Sequence, residues 1–87
     1  MKNTAEVLLD IAEERRAQNA KFGEQNHDDG GWLKITMEEL GEAAKDMVEI
    51  DAGAGSTDME SKVDRELTQT AAVIVSWLEA RSRRRAK

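Results

Sequence analysis

The run "LTQTAAVIVSWL" at 67–78 limits the fold more than any other part of the chain, because it carries no charge in a protein whose residues are 36% charged. Spaced at about 100° per residue, Met59, Val63, Leu67, Thr70, Ala71, Val73, Ile74, Val75, Trp77 and Leu78 cover more than half of a helical circumference. One neighbouring surface occupies an apolar stripe of roughly 100° or somewhat more. A wider arc implies burial against two surfaces, the other helices of the chain and a second subunit. With 87 residues and no cysteine, the chain forms one small domain, 1–87, that lacks disulfides and thiolate chemistry. Association between copies is then the expected way to enlarge its core, and the expected fold is all-α: a three-helix protomer in a homodimeric or homotetrameric bundle.

The absence of proline and tyrosine, with abundant Ala, Glu, Leu, Lys and Arg, favours helix throughout. A first helix is predicted from about Thr4, as cap, to Lys21, with Leu8, Leu9, Ile11 and Ala12 at helical spacing. "FGEQNHDDGGW" reads as a loop. Thr36 and Glu39 form a capping box that opens a second helix, whose apolar set is Met37, Leu40, Ala44, Met47 and Val48. "AGAGS" at 52–56 ends it, and a third helix runs from about Asp58 to the arginines near 84.

The chain's net charge is −5, but "RSRRRAK" at 81–87 holds five positive charges, which leaves −10 on residues 1–80. Such a body attracts cations and repels nucleic-acid backbones, and the basic end reads as a solvated tail after a helix terminus. No apolar run approaches the roughly 20 residues that span a bilayer. The first residues lack the layout of a secretion signal, so the expected compartment is the cytoplasm.

Six carboxylates crowd the stretch "ITMEELGEAAKDMVEID" at 35–51, against one basic residue, Lys45. Glu38 and Glu39 suit a first helical turn, and Glu42 and Glu49 lie opposite Leu40, Ala44 and Met47, as an ordinary solvated face requires. Glu66 alters that reading, because it falls inside the apolar arc of helix three, near one edge. A buried carboxylate pairs with a base, shifts its pKa or binds a metal. Arg15 or Arg16 is one candidate partner. A divalent cation held between Glu66 and the Glu38/Glu42 pair is the alternative, and oxygen ligands suit Mg2+ or Mn2+.

"EELGE" on one helix, followed by "RELTQ" on the next, resembles the MazG-like all-alpha nucleotide pyrophosphohydrolases, whose signature is E-x-x-E preceded by a further Glu, then E-x-x-D. "ERRAQNAKFGEQNHDDGGWLKI" is similar to the short phage-type branch, and the likeness extends from about Ile11 to Glu79. The resemblance implies magnesium held by Glu38, Glu39, Glu42 and Glu66, with Gln69 standing where the family has aspartate. It implies hydrolysis of a nucleoside triphosphate to the monophosphate and pyrophosphate, with Glu38 or Glu39 taking a proton from water. Lys21, Gln25, Asn26, His27 and Trp32 are the expected substrate contacts: Lys21 for phosphate, Gln25 or Asn26 for a base edge, and Trp32 for stacking or for anchoring the loop. Trp77 reads as core. Gln69 offers a neutral oxygen, which leaves open one metal instead of two, Asp46 as a replacement ligand, or a chain that binds without cleaving. The rival class is therefore a catalytically degenerate nucleotide-binding or helical interaction module.

Overall fold

A computed structural model describes residues 1–54 and 57–86 of the chain. Among them there are three α-helices and no strand: α1 (Thr4–Phe22), α2 (Asp29–Glu49) and α3 (Thr57–Arg85), with a π-helical turn at Ile50–Ala54 extending α2. Among the described residues, no helix is long and apolar enough to cross a membrane. The long α3 is the spine, and both α1 and α2 pack along it.

The first helix is capped one residue earlier than expected. Asn3 accepts from the Glu6 amide at 2.9 Å while the Glu6 carboxylate accepts from the Asn3 amide at 3.2 Å, which closes a reciprocal capping box. No residue of α1 is buried. Its inward side is the half-buried set Ile11, Glu14, Arg15 and Gln18, and it is tied to α3 by the Arg15–Glu79 ion pair at 2.6 Å and by Gln18 donating to the Gln69 carbonyl at 3.3 Å.

Helix α2 begins seven residues before Thr36, a correction to the expected boundary. Asp28 caps it, accepting from the Gly31 amide at 2.7 Å. Gly31 is needed here, since a Cβ would stand 3.1 Å from the Asp28 Oδ1 and 3.2 Å from the His27 Cβ. The early start converts Trp32 from a loop residue into a helical one that is 1% exposed and forms the core with Val73 and Ala80, flanked by Ile35 and Trp77. Thr36 is buried and donates its hydroxyl to the Trp32 carbonyl at 2.8 Å, so it serves the helix interior rather than its start.

The face that α2 turns to α3 also differs from expectation. Trp32, Thr36, Ala43 and Asp46 are buried, while Met37, Leu40, Met47 and Val48 are 42–68% exposed. Two small residues and one aspartate let the helices approach closely, and the larger side chains lie outside the contact. At the far end Gly53, at φ 87°, breaks the helical path; the rest of the predicted terminator, Gly55 and Ser56, lies outside the described residues.

The basic segment is not a solvated tail. Helix α3 continues to Arg85, and Arg81 and Arg84 bind Asp29 at 2.5 and 2.7 Å. Trp77 donates its indole N–H to the same carboxylate at 2.8 Å. Arg83 donates to the Asn26 Oδ1 and to the Gln25 carbonyl at 2.9 and 3.0 Å, and so straps the α1–α2 loop down. Lys87 lies outside the described residues.

Candidate functional site

Where α1 lies across the junction of α2 and α3, the chain leaves a groove. One part, about 260 Å³, is lined by Glu14, Ala17, Gln18, Lys21, Phe22, Glu39 and Gln69. A second part, about 210 Å³, shares Gln18, Phe22 and Glu39 with it and extends past Gln25, Trp32 and Ser76. Five residues singled out in the sequence thus reach one groove from three helices and a loop: Lys21, Gln25, Trp32, Glu39 and Gln69.

Carboxylates continue from this groove along the α2–α3 contact. Burial, with the charges of Glu42, Glu14 and Glu38 nearby, raises the pKa of Glu39 above the usual carboxylate value. Glu66 is 5% exposed and its pKa is raised as well, first by burial, then by a hydrogen bond and the charge of Asp46, with Glu42 adding to it. Lys62 opposes that rise. Its ammonium stands 3.5 Å from Asp46 and 3.8 Å from Glu66, outside good hydrogen-bond range and on a side chain that is half exposed. The Asp46 Oδ2 and Glu66 Oε2 atoms are buried with no hydrogen-bond partner. The base beside Glu66 is therefore Lys62 of its own helix, and not an arginine of α1, because Arg15 is taken by Glu79.

The expected ligand set is spread out. Glu42 acts electrostatically on both Glu39 and Glu66, Asp46 acts on Glu66 alone, and Glu38 and Glu42 are exposed on the same side of α2. Among the described residues, no three acidic or histidine side chains stand close enough to hold one metal ion as they are. Gln69 faces α1 and lines the groove beside Glu14 and Glu39, whereas Glu66 faces Asp46. No family model, curated protein or solved structure matches the chain.

The loop residues differ in how free they are. The Asn26 side chain is engaged at both ends, by Arg83 at its oxygen and by Glu24 at its nitrogen. Gln25 gives its carbonyl to Arg83 and borders the groove. His27 stands edge-on to Trp32 with ring centroids 4.9 Å apart. Burial of Trp32 makes its ring a wall of the groove and an anchor for the core. Lys21 lies over the Phe22 ring at 5.1 Å, at the rim. Sequence reasoning missed Lys62, Glu14 and Asp29. The signal for Lys62 was its position one turn before Glu66; Asp29 was hidden in a run that read only as loop.

Proposed function

We propose that this chain is a divalent-cation-dependent nucleotide pyrophosphohydrolase of the MazG-like, all-alpha kind, converting a nucleoside triphosphate to the monophosphate and pyrophosphate. The observation that carries the reading is the pair of buried carboxylates, Asp46 and Glu66, each with one oxygen that makes no hydrogen bond. Glu42 acts on Glu66 and on Glu39, and Glu39 lines the groove that also presents Lys21. Burying adjacent acids is costly unless a cation or a retained proton offsets their charge, and a divalent cation does so most fully. Glu39, Glu42, Glu66 and Asp46 are the residues that would hold Mg2+ or Mn2+, with Glu38 in reach of the same edge and Gln69 adding a neutral oxygen from the α1 side. The ion, when bound, supplies charge neutralisation for the phosphates and a template for in-line attack by water.

The chain's own residues supply the rest. Glu39, made more basic than an ordinary carboxylate by its burial and its acidic neighbours, accepts a proton from the attacking water. Lys21 at the rim meets a phosphate oxygen. Gln25, held by Arg83, offers its amide to the base or sugar, and the wall made by Trp32 and Ile35 excludes water from one side. A second reading has its own support. Lys62 already lies between Asp46 and Glu66, as in a structural ion pair, which fits an inert nucleotide-binding or interaction module.

Pyrophosphate release from a panel of nucleoside triphosphates, with and without Mg2+, separates the two. Metal-dependent release that is abolished in Glu39→Gln and Glu66→Gln is expected. Lys62→Met should tighten the metal requirement, because a competing cation is gone. No release from any substrate, together with melting curves that Mg2+ leaves unchanged, would leave the module reading in place.

A further inference from the structure

The Asp46–Glu66 pair already has an occupant. Among the described residues, Lys62 supplies the one cationic group within 4 Å of either carboxylate. Its Nζ stands 3.5 Å from both oxygens of Asp46 and 3.8 Å from the Glu66 Oε1. Equal distances to the two Asp46 oxygens place the ammonium in front of that carboxylate, with Glu66 at its flank. Arginines that could reach inward are engaged elsewhere: Arg15 with Glu79, Arg81 and Arg84 with Asp29, and Arg83 with Glu24. Two buried acids side by side are not by themselves a site. The Asp46 Oδ2 and Glu66 Oε2, however, are buried without a hydrogen-bond partner, which leaves them for a ligand that comes closer than the lysine does.

Lys62 neutralises the pair without satisfying it. An N–H donor bonds oxygen at about 2.7–3.2 Å, and the ammonium stands farther off than that from every oxygen it faces. A single positive charge also meets two carboxylates, with Glu42 adding its own charge nearby. The lysine side chain is 50% exposed, whereas those of Asp46 and Glu66 are 5% and 7% exposed. It can therefore swing into water without opening the core, while the carboxylates stay in place. Lysine suits such a part, because its ammonium is a strongly hydrated point charge on a flexible stem. A divalent ion brings two charges and takes carboxylate oxygens at about 2.0–2.6 Å, so it binds what the ammonium only faces. Both need the space in front of Asp46, and each excludes the other.

We propose that Lys62 is the resident cation of this site, an internal ammonium that a divalent ion displaces on binding and that returns when the ion leaves. The exchange rests on the divalent-cation reading of the carboxylates and deepens it, by naming what offsets their charge before an ion arrives. Such coupling is reciprocal. An ion that frees Lys62 exposes its amine, and a modification that removes the lysine's charge makes the ion bind more tightly.

The amine reports its own displacement. Limited acetylation of the full chain with an N-hydroxysuccinimide ester, read by peptide mass spectrometry, follows each lysine with and without Mg2+ or Mn2+ at matched ionic strength. Lys62 should label roughly threefold faster with the ion, the strength of one partly exposed ion pair. Lys34, exposed on α2 and about 18 Å along the helix from Asp46, should label at an unchanged rate. Lys62→Met should melt lower than wild type without metal and need about fivefold less Mg2+ for half of its thermal shift. Lys62→Arg, whose fork grips a carboxylate at two points, should need more Mg2+ than wild type. If Mg2+ raises the melting temperature but leaves Lys62 labelling unchanged, the exchange is wrong and the hydrolase reading survives. Faster labelling of Lys62 with no pyrophosphate release from any nucleotide would uphold the exchange and reject hydrolysis. Melting and labelling both indifferent to the ion would overturn the two together.

Discussion

Glu66 and Asp46 are held together against their charge, and the cost depends on pH. Glu66 has a raised pKa in the folded chain, from burial first and Asp46 second. An acid whose folded pKa exceeds its unfolded value binds its proton more tightly when folded, so stability rises as pH falls through the folded pKa toward the unfolded one, near 4.5. Glu39 acts in the same direction. Asp29 acts in the opposite one: hydrogen bonds from Trp77 and Arg84 lower its pKa, and its contribution is lost only as pH drops below the ordinary value of 3.8. The metal-free protein should therefore resist urea better at about pH 5 than at about pH 7.5. In Glu66→Gln that gain should shrink, because an amide takes up no proton. A pH profile of the urea midpoint for the two proteins checks this, and an unchanged slope in the variant would remove Glu66 as the source.

At the scale of the elements, the start of α2 decides where Trp32 goes, and two adjacent glycines test how. Gly30 and Gly31 both sit in the first turn, where alanine is favoured over glycine by up to about 1 kcal/mol. A Cβ on Gly30 meets only the Asp28 Oδ1, at an ordinary 3.8 Å, whereas on Gly31 it meets that oxygen at 3.1 Å and the His27 Cβ at 3.2 Å. Gly30→Ala should stabilise the fold by roughly 0.5 kcal/mol. Gly31→Ala should lose that gain and part of the Asp28 cap, a net cost of about 1 kcal/mol. Thermal melts of the two variants decide it. Helix α1, with no buried residue, should show the fastest backbone amide exchange of the three helices, since little apolar area opposes its opening.

These elements also show what was legible in the sequence. Three helices followed from composition and period, and the burial of Glu66 followed from its place in the arc of α3. The register of α2 did not. Period alone marks Leu40 and Met47 as an apolar face without saying whether the surface that covers it belongs to the same chain. The inward face, with Ala43, Thr36 and Asp46, is too small and polar to announce itself. The capping box at Thr36 and Glu39 was a true local pattern, but the burial of Trp32 outweighed it and drew the start back to Asp29. The Asp46–Glu66 pairing depends on how α2 and α3 slide past each other, which no spacing within one helix encodes.

For the whole molecule, the charge asymmetry that looked like a free tail becomes a closure. The acidic body and basic end meet where Arg81 and Arg84 grip Asp29 and Arg83 grips the loop at Gln25 and Asn26. These contacts join residues 24–29 to the last turns of α3, so they link the chain's middle to its end and fix the mouth of the groove. Isolated surface ion pairs contribute little, but arginines sharing acceptors on one loop act together and their guanidinium geometry matters. Replacing Arg83 and Arg84 together by alanine should lower the melting temperature by roughly 5 °C. Replacing Arg85, exposed on the same turn, removes the same kind of charge and should leave it within about 1 °C. Added salt should narrow the gap between wild type and the double variant, since screening weakens what the variant has already lost. Lysine at Arg83 keeps the charge but cannot reach both acceptors, so its melting temperature should fall between wild type and alanine. Equal melting temperatures for the Arg83/Arg84 and Arg85 variants would return the basic segment to a solvated tail.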